Sequence, residues 1–268
     1  MQICERVAVV TGGGSGIGKA TAELFASNGY TVYSLFRRSE NNKTTEIKQG
    51  RIIERVCDVT NEESIQAAFQ GIDRIDVLIH AAGFGIGGSA ELTSNEDAHR
   101  QFETNFFGVL NVNRYACGIM RAQKSGLVMI TGSVGGVYPI PFQGHYSATK
   151  FALEGYAGAL RLELEPFGVK CVVIEPGDTS TPFTKGRKIT ESESSPYKKY
   201  SDISLQKAIA DENHGYSPER VAKTFFRVSK KRRPSPRYAV GIKYKTLIFL
   251  KRLFPSKFAF FVLKKMYM

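Results

Sequence analysis

The chain has 268 residues, 42% of them hydrophobic and 23% charged, enough for one large domain with a buried core and unlike a disordered chain. Its four cysteines, Cys4, Cys57, Cys117 and Cys171, form no C-x-x-C pair and fit neither a zinc site nor a disulfide framework. Buried thiols in a reducing compartment are expected, and no metal site. The formal charge of +12 is concentrated: residues 220–268 carry 15 Lys/Arg and no acid, leaving 22 basic against 25 acidic residues in the near-neutral body.

In chain order, Val7–Val10 reads as a first strand rather than a cleavable leader. Directly after it, Thr11-Gly12-Gly13-Gly14-Ser15-Gly16-Ile17-Gly18 opens a helix over Ile17–Ser27. Glycines let a chain turn tightly and bring its backbone to a pyrophosphate, and a helix N-terminus adds free N–H groups and a favourable dipole. The spacing is Gly-x-x-x-Gly-x-Gly, not Gly-x-Gly-x-x-Gly. A structural turn can share this composition, but the strand before and the helix after favour cofactor binding. The second strand, Thr31–Leu35, runs into Phe36-Arg37-Arg38 with no acid before Glu40. An acid there holds the ribose 2′-OH in NAD sites, whereas two guanidinium groups suit a 2′-phosphate. NADP(H) is therefore expected ahead of NAD(H), the alternative being that Arg37 and Arg38 form a solvated loop.

Strands at Ile52–Cys57, Val77–His80, Leu127–Thr131 and Cys171–Glu175 then alternate with helices at Glu62–Gln70, Asn95–Met120 and Ser147–Glu165, the last stopped by Pro166 and Gly168. Near-continuous Val/Ile runs between longer helices predict an α/β fold: a single Rossmann domain over residues 1–241, with a doubly wound parallel sheet covered by helices on both faces. Residues 182–217, rich in Ser, Glu, Lys and Pro, are weakly patterned and are expected to form a substrate loop. A helix at Pro218–Lys230 and a strand at Tyr238–Gly241 close the domain. Residues 242–268 form a basic amphipathic extension in which Lys243–Phe254 and Ser256–Met268 read as two short helices split by Pro255. Two arrangements remain open. Either the helices lie in a membrane interface with their cations near anionic headgroups, or they pack over the substrate entrance. Lys or Arg interrupts every apolar run short of about 20 residues, so a soluble, cytoplasmic protein is expected, with membrane association through this tail as the reservation.

Tyr146-Ser-Ala-Thr-Lys150 sets a phenol and an ammonium on one helical face. A neighbouring cation lowers a phenol pKa from its ordinary value near 10, toward acid/base use at neutral pH. That spacing arises often by chance. Its company gives it meaning.

Thr11–Gly18, Asp58-Val59 after the third strand, Ala82-Gly83 after the fourth, Asn105 in the long helix, Ser133 after the fifth strand, Tyr146 and Lys150, then Pro176-Gly177 and Thr181 after the sixth fall in one order. Over roughly residues 5–185 this set resembles the classical short-chain dehydrogenase/reductase family. The resemblance implies that Tyr146 is the general acid in reduction and the base in oxidation. Lys150 would hold the nicotinamide ribose, Ser133 the substrate oxygen, and Asn105 a relay water. It likewise implies cofactor contacts from Gly12, Gly14, Ser15, Gly16, Ile17 and Gly18, from Asp58 and Val59, and from Ala82, Gly83, Pro176, Gly177 and Thr181, beside those expected of Arg37 and Arg38. Where the family has Asn-Asn-Ala-Gly this chain has His80-Ala81-Ala82-Gly83, and His80 is expected to be a satisfied structural residue.

Phe84-Gly-Ile86-Gly, Gln101–Gly108, Phe151–Gly155 and the extension past Tyr238 are most similar to a hydroxysteroid/retinol-dehydrogenase-type branch. The positions then expected near the substrate, Phe84, Ile86, Val134, Val137, Pro139, Phe142 and Phe183, are apolar and favour a lipophilic carbonyl/alcohol pair such as a steroid, retinoid or lipid. An alternative is reduction of a 3-oxoacyl thioester on an acidic carrier protein docked by the tail. Another is a cofactor-sensing, membrane-associated protein, against which the complete Ser133, Tyr146, Lys150 set stands. No nucleic-acid partner is expected, because the tail interleaves its cations with apolar residues. The family's pairing of long helices implies a homodimer or homotetramer.

Overall fold

A computed structural model describes residues 6–268; Cys4 lies outside the described residues. The elements, in order, are β1 Arg6–Thr11, α1 Gly16–Ala26, β2 Tyr30–Phe36, β3 Thr44–Ile47, β4 Gly50–Val56, α2 Glu62–Phe69, β5 Val77–His80 and β6 Ile86–Gly87. They continue with α3 Asn95–Phe102, a π turn at Glu103–Phe107, α4 Gly108–Ala122, β7 Gly126–Thr131, α5 Gly144–Leu164, β8 Val169–Glu175, α6 Pro182–Lys185 and β9 Lys188–Ile189. The last are α7 Lys198–Asn213, α8 Pro218–Ser229, β10 Arg237–Ala239, α9 Ile242–Leu253 and α10 Ser256–Tyr267.

Because strand side chains alternate between faces, each strand feeds two cores. Ala8, Val10, Val32, Ile79, Met129 and Ile174 pack against α1 and α8, with Phe25 and Phe225 fully buried between them. Val9, Leu35, Leu78, Val128, Ile130 and Val173 face α2, α4 and α5. The sheet order is β10-β8-β7-β5-β1-β2-β4-β3, with every pair parallel except β3 on β4. This is the doubly wound Rossmann arrangement. Its order reverses between β1 and β5, which opens a crevice at the C-terminal strand ends.

The structure departs from the sequence expectations in four places. Strand β3 has no hydrophobic signal, since Thr44, Thr45 and Glu46 are exposed at the sheet edge. The helix expected over Asn95–Met120 is broken by the π turn, within which Asn105 is buried. The loop expected over residues 182–217 contains a four-turn helix, α7, that buries mainly small residues, Ser201, Ser204, Leu205 and Ala208, and so lacks a strong apolar stripe. The last strand ends at Ala239, two residues early, because Gly241 turns at φ +89° to start α9.

Helix α9 is fastened to the body. Tyr138 Oη donates to the Leu247 carbonyl at 2.8 Å, Tyr244 Oη donates to Asp178 Oδ2 at 2.5 Å, and Lys251 Nζ donates to the Val137 carbonyl. A Cβ at position 177 would overlap the Tyr244 ring, so Gly177 is what lets the helix seat. Pro255 separates α9 from α10. No described helix is long and apolar enough to cross a membrane.

Candidate active site

A turn between β1 and α1 forms the floor of the crevice. Gly12 adopts φ +69°, and a Cβ there would sit 2.7 Å from the Ala81 carbonyl carbon, so only glycine fits this close approach. Ser15 caps α1 in an extended conformation with no side-chain cap bond, leaving its hydroxyl free. The first turn of a helix also leaves its amides unpaired. Thr181 closes the far side, its Cβ 3.3 Å from where a Cβ on Gly16 would be. A glycine turn leading into the unpaired first-turn amides of α1, at a strand-end crevice, fits the pyrophosphate of a dinucleotide.

Ser133, Tyr146 and Lys150 converge on this crevice from the end of β7 and the start of α5. Ser133 Oγ accepts from the Gly135 amide at 2.9 Å and lies within hydrogen-bond reach of the Tyr146 hydroxyl inside the cavity. Lys150, 7% exposed, donates to the Thr131 carbonyl at 2.8 Å, and its Nζ lies 5.7 Å from the Tyr146 ring centroid. Burial lowers the Lys150 pKa to about 8, with Glu154 opposing the shift. The Tyr146 pKa is raised, chiefly by burial, against a lowering hydrogen bond to Ser133; the Glu212 charge raises it further and Arg187 lowers it. The depression expected from Lys150 is not found: burial dominates, and what lowers the Tyr146 pKa is Ser133 and Arg187.

Asn105 is committed elsewhere. Its Oδ1 accepts from the Phe84 amide at 3.0 Å and its Nδ2 donates to the Phe84 carbonyl at 2.9 Å, pinning the segment after β5. His80, 3% exposed, places Nε2 2.9 Å from Asn113 Oδ1, while Asn113 Nδ2 donates to Tyr156 Oη at 3.1 Å. Burial drives its pKa down to about 4, so it is neutral and structural.

Of the residues expected at the cofactor, Gly12, Ser15, Gly16, Ile17, Ala82, Gly83, Pro176, Gly177 and Thr181 line one cavity with Ser133, Tyr146 and Lys150. Gly14, Gly18, Asp58 and Val59 do not line it. Asp58 Oδ1 accepts from Thr60 Oγ1 at 2.7 Å, and Val59 is buried. Arg37 and Arg38 stand exposed at the end of β2, with no ion pair among the described residues.

The substrate set needs more correction. Val134 and Phe183 line the cavity, Phe183 with its ring centroid 5.7 Å from that of Tyr146. Phe84, Ile86, Val137, Pro139 and Phe142 do not. Arg100 covers the Phe84 ring, Ile86 and Val137 are buried, and Phe142 packs on Tyr197. Tyr138 and Ile140 take their place from the same segment, because the chain there is a turn and not a strand or helix whose period could be read. The rest of the wall comes from the tail: Tyr244, Leu247, Leu250, Phe254, Phe258, Val262, Leu263 and Met266. Their spacing of three or four residues is the signal that could have found them. In the insert, Arg187 and Thr184 both donate to the Glu212 carboxylate, which lines the cavity and ties α6 to α7. The enclosed volume is ≈ 400 Å³.

Residues 6–192 match the short chain dehydrogenase family. The chain is 37% identical over 243 residues to a 3-ketodihydrosphingosine reductase of Bacteroides thetaiotaomicron, covering 88% of each. It superposes on a short-chain dehydrogenase from Streptomyces avermitilis with a TM-score of 0.81 at 28% identity, covering 94% of this chain and 93% of that one. Two structures at 24% identity share the fold. One is a serine dehydrogenase complexed with NADP+, with a TM-score of 0.73 over 87% of this chain and 93% of that one. The other is a Burkholderia phymatum enzyme in complex with NAD, with a TM-score of 0.78 over 94% of each. With the Rossmann crevice and the matched length agreeing, this chain belongs to the short-chain dehydrogenase/reductase family of oxidoreductases.

Proposed function

We propose that the protein is an NADP(H)-dependent reductase of a ketone on a long-chain, lipid-like substrate. The observation that carries this reading is the cavity itself: Ser133 and Tyr146 lie in the same enclosure as an apolar wall built by α9 and α10. A substrate whose carbonyl meets the hydroxyls while its chain lies along Leu247, Leu250, Phe254 and Leu263 fills both parts. The relative named for 3-ketodihydrosphingosine supports a lipid-like ketone.

The turn at Gly12–Gly16 would hold the pyrophosphate, Lys150 the nicotinamide ribose, Thr181 the carboxamide, and Arg37 with Arg38 the 2′-phosphate. Hydride is the chemistry this cofactor supplies when bound. Ser133 donates a hydrogen bond to the carbonyl oxygen as charge grows on it. Tyr146, whose raised pKa keeps it protonated at neutral pH, transfers its proton to that oxygen. The Lys150 cation stabilises the phenolate left behind. Phe183 and the tail exclude water from the exchange.

Two further properties belong to this reading. The outer face of the tail exposes Phe249 (59%), Leu253 (62%), Phe260 (59%) and Phe261 (54%) beside Lys245, Lys257, Lys264 and Lys265. An anionic lipid surface complements that face, and would bring a lipid substrate to a pocket roofed by the same helices. Full-length protein should sediment with anionic vesicles at low salt and less at high salt. Indifference to such vesicles at low salt would remove the membrane role and leave the pocket roof. Exposed Phe107, Leu162 and Phe167 on or next to α4 and α5 support pairing of two copies along those helices, which equilibrium sedimentation checks.

The deciding experiment follows NADPH and NADH consumption over ketones of increasing chain length, alongside 3-oxoacyl thioesters. Turnover rising with chain length and favouring NADPH is expected. Preference for NADH, or for a short hydrophilic ketone, defeats the assignment.

A further inference from the structure

Tyr146, Lys150 and Glu154 follow one another at four-residue steps on α5, so the three side chains share one helical face. The proposed reaction uses the first two. Glu154 continues the line inward, where it is 6% exposed and close enough to Glu175, 2% exposed, for their carboxyl groups to hydrogen-bond. Two carboxylates cannot both stay ionised at such range without a strong penalty. On the outer side, Arg237 of β10 sets its Nε 2.9 Å from Glu154 Oε2 with a side chain 48% exposed. On the inner side, Lys150 binds the Thr131 carbonyl, and the next residue is Gly132. A Cβ at Gly132 would stand 3.1 Å from Glu154 Oε1 and 2.5 Å from Val173 Cγ1, so a glycine here keeps the strand end close to the carboxylate.

We propose that Glu154 and Glu175, tied to the surface through Arg237, form a buried proton-sharing pair that keeps Lys150 cationic and through it poises Tyr146. Neither carboxylate lines the cofactor and substrate cavity, so both are positioning residues acting through Lys150. The charged groups around the pair are Lys150 on α5, Arg237 on β10 and, one step beyond Arg237, Lys251 on α9.

Burial and the neighbouring Glu175 charge push the Glu154 carboxyl up, while burial pushes Lys150 down and the Glu154 charge opposes that shift. As pH rises, the pair gives up its shared proton and gains negative charge beside Lys150. That charge holds the ammonium. In the reductive direction the ammonium stabilises the tyrosinate formed by proton transfer, so activity should fall on the alkaline side as Lys150 becomes neutral.

Glu154→Gln keeps the shape and removes the charge. The alkaline limb of the kcat/KM profile for ketone reduction should then move to lower pH by about one unit. Arg237→Gln, a half-exposed change that should fold, leaves Glu154 protonated to higher pH and should move the limb the same way by less. A merely structural role would lower the melting temperature of Glu154→Gln and leave the limb in place. An unmoved limb in folded Glu154→Gln overturns the proposal, and if that variant does not fold, an unmoved limb in Arg237→Gln does so. The inference rests on the reductase reading above, and the two fail separately. Wild-type protein that reduces no ketone, or Tyr146→Phe that still does, defeats that reading. Normal wild-type and Tyr146→Phe behaviour with an unmoved limb defeats this inference alone.

Discussion

The two walls of the cavity are built on different principles. On the body side, polar groups occupy fixed positions at the ends of β1, β5, β7 and β8, each held by backbone hydrogen bonds and by buried Val and Ile behind it. On the tail side, α9 and α10 offer mostly apolar surface from the exposed, basic end of the chain. The body wall is rigid because a parallel sheet over two cores leaves it no alternative. The tail wall is held by a few bonds: Tyr138 to Leu247, Tyr244 to Asp178 and Lys251 to Val137. Under the proposed function the two walls separate chemistry from selectivity: proton and cofactor handling fall to the sheet ends, and the choice of substrate chain falls to the tail.

Substitutions can break that division. Tyr146→Phe keeps the ring and removes the proton, so turnover should fall between about 10²- and 10⁴-fold for every substrate, long or short, with folding intact. A loss confined to long chains would place Tyr146 in substrate packing and erase the distinction. Replacing Arg37 and Arg38 together with neutral residues should weaken NADPH by about 2–4 kcal/mol and NADH far less, measured by fluorescence titration. Equal losses would make the two arginines a solvated loop.

His80 tests the rigidity of the body wall through pH. Its folded pKa of about 4 lies below the unfolded value of 6.5, so between these the unfolded chain binds more protons and stability rises with pH. As pH falls from 6.5 to 4, on the order of 3 kcal/mol should be lost at this one residue. His80→Asn, which retains an amide for Asn113, should flatten that part of a chemical-denaturation series. An unchanged slope would move the acid sensitivity elsewhere.

The smallest effect sharpens the tail side. Phe258→Ala with Val262→Ala should raise KM for a long-chain ketone about tenfold, about 1.4 kcal/mol of lost apolar contact, while a short ketone changes less. Equal changes in both would mean that the tail supports the site without reading the chain.

Much of the body was legible because its signals are local. The glycine turn lies between a strand and a helix, and Ser133, Tyr146 and Lys150 occupy ordered positions that one motif each would not distinguish from chance. His80 was readable as structural from its place at a strand end, and Asn113 and Tyr156 supply the partners. The substrate wall was not legible in the same way. Phe84, Ile86 and Phe142 are apolar and near the site in sequence, yet each is turned into packing by the elements around it. Helix α7 escaped notice because small residues such as Ser201 and Ala208 pack as closely as leucine while giving no hydrophobic period.

By itself the sequence determined the Rossmann alternation of strands and helices, the glycine turn and the pairing of Tyr146 with Lys150 on α5, since these follow from strand and helix periods and from side chains four residues apart. Only the tertiary structure brings the tail helices to the cavity that holds Tyr146. Residues 247–266 lie about a hundred positions from Tyr146, and no local pattern encodes that contact. The same holds inside the domain. Glu154 and Glu175 are ordinary carboxylates in the sequence, and only the packing of α5 against β8 and β10 brings them together behind Lys150 and makes a shared proton cheaper than two buried charges.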